Sequence, residues 1–175
     1  MIRVYDDVLP DPMEYRRRAL ARPFGDVTLG PDTFRGIATP PDNRLTDRFA
    51  ALRPALSPVM SFLRKSPEGQ PEPNFIHSDA DMGTATGIYY MNPDPAQGDG
   101  TAFWRLSRSG AIGGAWTPEI AEAAKSEDGW TRWNSVEACF NRLVVFPADW
   151  FHSRALLDNY GSEDKARLIQ VVFAR

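Results

Sequence analysis

Apolar residues recur along this chain with two different spacings, and the change from one to the other falls near residue 74. Over 42–65, "DNRLTDRFAALRPALSPVMSFLRK", the residues Leu45, Phe49, Leu52, Leu56, Val59 and Leu63 lie at helical spacing, which predicts a helical region broken or kinked at Pro54 and Pro58. Upstream, "IRVYDDVL" (2–9) reads as a short strand. A helix should follow to about Arg22, with Asp11 as its cap and Pro12 in the first turn, where a missing N–H does no harm. From 74 onward, short β-type runs alternate with Gly, Pro, Asn and Asp, and the predicted strands are 74–80, 84–92, 100–105, 136–140, 142–147, 151–157 and 167–174. Leu143 to Phe146 is an unbroken apolar run, as expected of a central strand buried on both faces.

Between Arg105 and Val136 the alternation gives way to a long connection rich in Gly and Trp, the kind of segment that often serves as a binding loop or lid. Within it, "TPEIAEAAK" predicts a short helix capped by Thr117, with proline at its first position. There is no internal repeat and no low-complexity tract. The pattern as a whole predicts an α+β, mainly β fold: a helical support region at 1–73, then an antiparallel sandwich or jelly roll at 74–175.

A length of 175 residues suits one domain with a proper core and is too short for two ordinary ones. A formal charge of -3 and a pI near 5.4 argue against nucleic acid as a partner, despite the local run Arg16, Arg17 and Arg18. One cysteine, Cys139, excludes an intrachain disulfide and reads as a small buried hydrophobe. With no apolar run of signal-peptide or membrane-span length, the expectation is a soluble, cytoplasmic protein that meets no membrane. The oligomeric state is left open.

Only two histidines are present, His77 in "FIHSDADM" and His152 in "WFHSR". In a strand, His77 and Asp79 project on the same side and can reach one ion, although a surface strand with polar residues outward gives the same triplet. His152 emerges just beyond the turn made by Pro147 and Asp149, at the end of the apolar run, where it either faces a cavity or is a core histidine satisfied by one hydrogen bond. If His77, Asp79 and His152 converge, they form a two-histidine, one-carboxylate facial triad, for which Fe(II) is the expected metal and zinc the chemical rival. Asp81 is an alternative carboxylate, and the shorter reach from His77 favours Asp79.

The ordered motifs "IHSDADMG", "TGIYYMN", "GDGTAFW", "FNRLVVFPADWFHSR" and "ARLIQVVF" resemble the Fe(II)- and 2-oxoglutarate-dependent dioxygenases, most closely the prolyl 4-hydroxylase-like branch. The resemblance covers 74–175 and does not extend to the first 73 residues. It implies a double-stranded β-helix, with iron held by His77, Asp79 and His152 as the catalytic centre. It also implies 2-oxoglutarate and O2 as co-substrates, with Arg167 on the distal carboxylate and Tyr90 donating to the same group. The implied reaction hydroxylates a C–H bond of an amino-acid, peptidyl or natural-product substrate and releases succinate and CO2. Related halogenases replace the carboxylate ligand with a small residue, so Asp79 disfavours halogenation.

Strand alternation puts Arg167, Ile169, Val171 and Phe173 on one face, where a charge among apolar neighbours needs a partner. Arg154, on the His152 face of its strand, is the rival for the co-substrate carboxylate. The family usually separates the distal histidine and the arginine by less than the 15 residues found here, which makes "LDNYGSED" an elongated turn. Tyr90 shares a face with Thr86 and Ile88, giving either a half-polar wall for the co-substrate or an ordinary core tyrosine. Five tryptophans invite a substrate-stacking role, although packing is the simpler explanation. Trp104, Trp130 and Trp133 are the candidates for the pocket mouth, and Arg105 and Arg142 could meet an acidic substrate group. The alternative function is a cupin-like protein that binds a metal or small acid without turnover; a metal-free β-sandwich interaction module is a third.

Overall fold

Strands dominate the computed structural model, which describes residues 1–30, 32–70, 75–156 and 158–175. Seven of them form one antiparallel sheet. Its order is β1 (Arg3–Tyr5), β8 (Arg142–Pro147), β5 (Ala85–Tyr90), β10 (Arg167–Ala174), β4 (Pro58–Ser66), β3 (Asp32–Ala38) and β2 (Gly25–Leu29). A second sheet of three strands runs β7 (Trp130–Glu137), β6 (Gly100–Leu106) and β9 (His152–Arg154). This is the mainly β jelly-roll layout expected from the strand pattern, and the double-stranded β-helix that the resemblance implies; no described helix is long and apolar enough to cross a membrane.

The inner faces of the two sheets meet in a core of Ile88, Phe103, Val144, Phe146, Ile169 and Val171. On the outer face of the large sheet, α1 (Pro12–Leu20) and α2 (Arg44–Leu52) deliver Tyr15, Ala19, Leu45 and Phe49 against Leu63, Tyr89, Leu143 and Val172. Strands β5 and β10 are therefore buried along their whole length, which explains why both read as nearly continuous apolar runs. One polar residue in this layer, Gln170, is satisfied from both sides: the Tyr15 hydroxyl donates to its Oε1 at 2.7 Å, and its Nε2 donates to Ser61 Oγ at 2.9 Å. Phe49 sits over Gly87, where an added Cβ would stand 2.8 Å from the Phe49 ring. Gly87→Ala should therefore lower stability by about 1–3 kcal/mol through overpacking, read as a reduced urea midpoint at unchanged slope.

Several expectations are corrected. The helical region predicted over 42–65 ends at Leu52, and Pro58–Ser66 is β4, paired with β10 from Arg167↔Ser66 to Ala174↔Pro58. Pro54 follows the cap and stops the helix, Pro58 opens β4, and the strand alternates, with Met60, Phe62 and Arg64 toward the interior cavity and Leu63 in the core beneath the helices. The described residues of 1–73 thus supply four strands of the large sheet as well as two helices, rather than a helical support alone. The predicted strand at 74–80 is a single bridge between His77 and His152; its first residue, Asn74, and Pro73 at the region boundary lie outside the described residues.

The strand expected at 136–140 begins earlier, at Trp130, and ends at Glu137. The strands expected at 2–9 and 151–157 shorten to Arg3–Tyr5 and His152–Arg154, and Leu157 of the latter lies outside the described residues. Asp11 occupies the cap position of α1 without a side-chain cap bond, whereas Thr117 does accept from Ile120 N–H at the start of α3 (Pro118–Ala123).

Candidate metal centre

Main-chain bonds set the three candidate ligands side by side. The amide of His77 donates to the His152 carbonyl at 3.0 Å, the His152 amide donates back at 2.9 Å, and the Asp79 amide donates to the Ala148 carbonyl at 2.8 Å. Each imidazole turns Nδ1 toward a carbonyl: His152 toward Trp150 O at 2.8 Å and His77 toward Phe75 O at 3.4 Å. A carbonyl only accepts, so Nδ1 carries the proton and the lone pair is left on Nε2. Both Nε2 atoms face Asp79, His152 at 3.3 Å from Oδ2 and His77 at 3.9 Å from Oδ1. The ligand atoms of the three residues all lie within 4.8 Å of one another. Two neutral imidazole nitrogens and a carboxylate, all turned to one point, are a donor set that suits a divalent ion of the first transition row.

Surrounding groups hold this geometry. Phe146 packs edge-on against the His152 ring at 4.7 Å, and the Thr86 hydroxyl donates to Asp79 Oδ2 at 2.9 Å. Thr86→Val should reduce metal affinity by about 10- to 100-fold without loss of fold, because the carboxylate loses its orienting donor. A metal titration giving the wild-type constant would refute that role.

Burial by itself would raise the Asp79 pKa, but the charge that the His152 and His77 rings carry when protonated, with the bond from Thr86, outweighs it and holds the carboxyl below its usual range. Desolvation, followed by repulsion from His152, lowers His77 to about 4. A lowered folded value means that the unfolded chain binds more protons between about pH 6.5 and 4. The metal-free protein should therefore lose this part of its stability as pH falls through that window, seen as a falling Tm that His77→Gln flattens.

These residues line a cavity of about 500 Å³ between the sheets, within the usual range for small-molecule sites. Thr86, Ile88 and Arg167 line it too. Arg167 is 6% exposed, and its Nε donates to Asp99 Oδ1 and Oδ2 at 3.0 and 3.1 Å. Tyr90 stands one layer back: its hydroxyl lies 2.6 Å from Thr101 Oγ1, and Thr101 is the residue that reaches the cavity. Arg154 also reaches the cavity and donates to Asn159. Asp81 is at the cavity as well, outside the three-residue ligand group.

The cavity does not receive Trp104, Arg105, Trp130 or Trp133. Trp104 and Trp130 pack on the far side of the small sheet, their indole N–H groups bonded to Ser153 Oγ and the Ala123 carbonyl at 2.9 Å each. Trp133 packs against Phe103 and Trp150, and Arg105 is exposed. Arg142 pairs with Asp6 at 2.6 Å at the edge of the large sheet. Trp116 and Phe75 line the cavity instead, with Val27, Leu29, Phe34 and Ile37 of the β2–β3 hairpin and Met60 and Phe62 of β4. Sequence reasoning missed the hairpin, whose signal was the alternation of Val27 and Leu29 with Asp26 and Thr28.

No family model matches the sequence, and no curated protein matches it. Solved structures do. The non-heme alpha ketoglutarate dependent epimerase SnoN from nogalamycin biosynthesis aligns at TM-score 0.62 and 20% identity over 98% of this chain and 76% of its own. A Pseudomonas putida prolyl-4-hydroxylase aligns at 0.57 and 16% over 99% and 92%. A Trichoplax adhaerens prolyl hydroxylase, in complex with a peptide fragment of the hypoxia inducible factor oxygen degradation domain, aligns at 0.60 and 14% over 98% and 82%. The chain shares the fold of these enzymes nearly end to end.

Proposed function

We propose that this protein is an Fe(II)- and 2-oxoglutarate-dependent oxygenase that oxidises a C–H bond of a hydrophobic small molecule. The observation that carries the proposal is the convergence of His77 Nε2, His152 Nε2 and the Asp79 carboxylate at one point of a cavity that also holds Arg167. A SnoN structure in complex with Fe3+, alpha ketoglutarate and nogalamycin RO supports it by likeness of fold. Bound Fe(II) would supply the redox centre at which O2 oxidises 2-oxoglutarate to succinate and CO2 and a substrate C–H bond is oxidised in turn.

The chain's own residues bind and position. Arg167 opens β10, while Phe173 near the other end of that strand pairs with Thr86, the residue that holds Asp79. Between them the cavity wall is Ile169, Val171 and Ile88. A cation at one end, a metal centre toward the other and an apolar stretch between suit a dicarboxylic keto acid with a methylene chain. Thr101, backed by Tyr90, adds a hydroxyl at the cavity. The apolar walls also exclude water from the reacting groups.

The proposed substrate class rests on the other wall. Val27, Leu29 and Met60 are 39%, 59% and 49% exposed, yet they line the cavity beside Phe34 and Phe62. Covering such a surface with an apolar body is favourable by about 25 cal/mol per Å². This favours an apolar small molecule over a polar substrate.

Anaerobic titration with Fe(II) and 2-oxoglutarate tests the co-substrate site, and a weak visible charge-transfer band is expected. In air, succinate should form, and hydrophobic ring compounds should accelerate its formation more than peptides do. Iron binding with neither band nor succinate would leave a cupin-like binding protein.

A further inference from the structure

Arg167 carries its own counter-anion. Asp99 is 2% exposed and sits between Gly98, at φ +84, and Gly100, at φ +152. A Cβ at Gly100 would stand 2.1 Å from the Val136 carbonyl, so this backbone is pressed against β7 and only glycine fits. The Asp99 amide donates to Ala96 O at 3.0 Å, its carbonyl accepts from the Ala138 amide at 2.8 Å, and the Tyr160 hydroxyl donates to its Oδ2 at 3.1 Å. The carboxylate is thus fixed independently of Arg167. It takes the guanidinium by Nε, while Nη2 reaches the Gly100 carbonyl at 3.4 Å and Nη1 makes no hydrogen bond among the described residues.

We propose that Asp99 is a positioning residue that sets how tightly the cavity holds dicarboxylates: it orients Arg167 by Nε, leaves Nη1 for the incoming carboxylate, and shares the cation's charge. This rests on the proposed function above. Two anions sharing one buried cation repel each other in a poorly screened site. The arriving co-substrate is therefore held less tightly than by an unpaired arginine, and so is succinate, the dicarboxylate that must leave. Removing the Asp99 charge makes the empty site worse and the filled site comparatively better, so affinity should rise.

The test is calorimetric titration of the full chain, loaded with Mn(II) under anaerobic conditions, with 2-oxoglutarate, succinate and pyruvate. Pyruvate has the keto acid group but no distal carboxylate. Asp99→Asn, which keeps an acceptor for Nε, is expected to tighten 2-oxoglutarate and succinate by about tenfold and leave pyruvate within about twofold. A purely structural role would loosen Arg167 and weaken the dicarboxylates, and that result overturns the proposal, as does a shift common to all three ligands. Should Asp99→Asn fail to fold, Tyr160→Phe gives the opposite sign. It keeps the charge but removes one donor from it, so Asp99 grips Arg167 harder and 2-oxoglutarate weakens by about two- to threefold, with pyruvate unmoved. No change, or tightening, in that variant overturns the proposal. Wild-type protein that fails to bind 2-oxoglutarate would instead overturn the proposed function itself.

Discussion

His152→Ala should reduce affinity for a divalent metal by well over about 100-fold, since even removing a group that only orients a ligand costs 10- to 100-fold. The side chain is 4% accessible, held by the Trp150 carbonyl on one side and the Phe146 ring on the other, and its Nε2 is the nitrogen nearer Asp79. No other imidazole can replace it, because His77 is the chain's only other histidine. The bonds that join the two segments are main-chain, His77 to His152 in both directions, so they persist in the variant. Metal binding should therefore be lost with a cooperative thermal transition retained. A Co(II) or Mn(II) affinity within about threefold of wild type would remove His152 from the ligand set.

Arg167→Ala is the second large effect, and it has two parts. The first is on stability: the variant leaves Asp99 buried without its cation, a change that typically costs 3–5 kcal/mol. Asp99→Ala in the same chain should restore part of the loss, and a double-mutant cycle in urea would measure the coupling. The second is on binding: losing charge-assisted bonds of about 1.5–3 kcal/mol should weaken 2-oxoglutarate by roughly 10- to 100-fold while metal affinity stays near wild type. Arg167→Lys separates charge from shape, since it keeps the cation and loses the planar fork. Equal 2-oxoglutarate affinity in wild type and Arg167→Ala would transfer the carboxylate role elsewhere, with Arg154 the residue to test next.

Strands buried on both faces were readable in the sequence because their composition cannot belong to anything else. The run Leu143 to Phe146 and the segment Arg167–Ala174 have too little polar surface for an exposed element. Strand β4 was not readable, because Leu56, Val59 and Leu63 happen to continue the helical spacing of Leu45, Phe49 and Leu52. Pro54 and Pro58 carried the correct information, and Met60, Phe62 and Arg64 carried the alternation. The candidate ligands could be named because the chain has so few histidines. The substrate wall could not, because hydrophobic pattern reports burial in general and does not distinguish a core from a cavity. By size the tryptophans were the natural choice for a pocket mouth, yet Trp104 and Trp130 serve the packing of the small sheet, while less conspicuous residues such as Leu29 and Met60 line the cavity.

The position of β10 has a consequence for how the molecule reaches its native state. It lies between β4 and β5, and its partners on β4 precede it by about a hundred residues, as in Arg167↔Ser66. Pairings so distant in sequence close slowly, because the entropy of a long loop is lost before the contacts form. Until β10 inserts, β4 and β5 each present an open edge, and edges of that kind recruit other chains. Refolding yield should therefore fall steeply as protein concentration rises, even under conditions where the finished fold is stable.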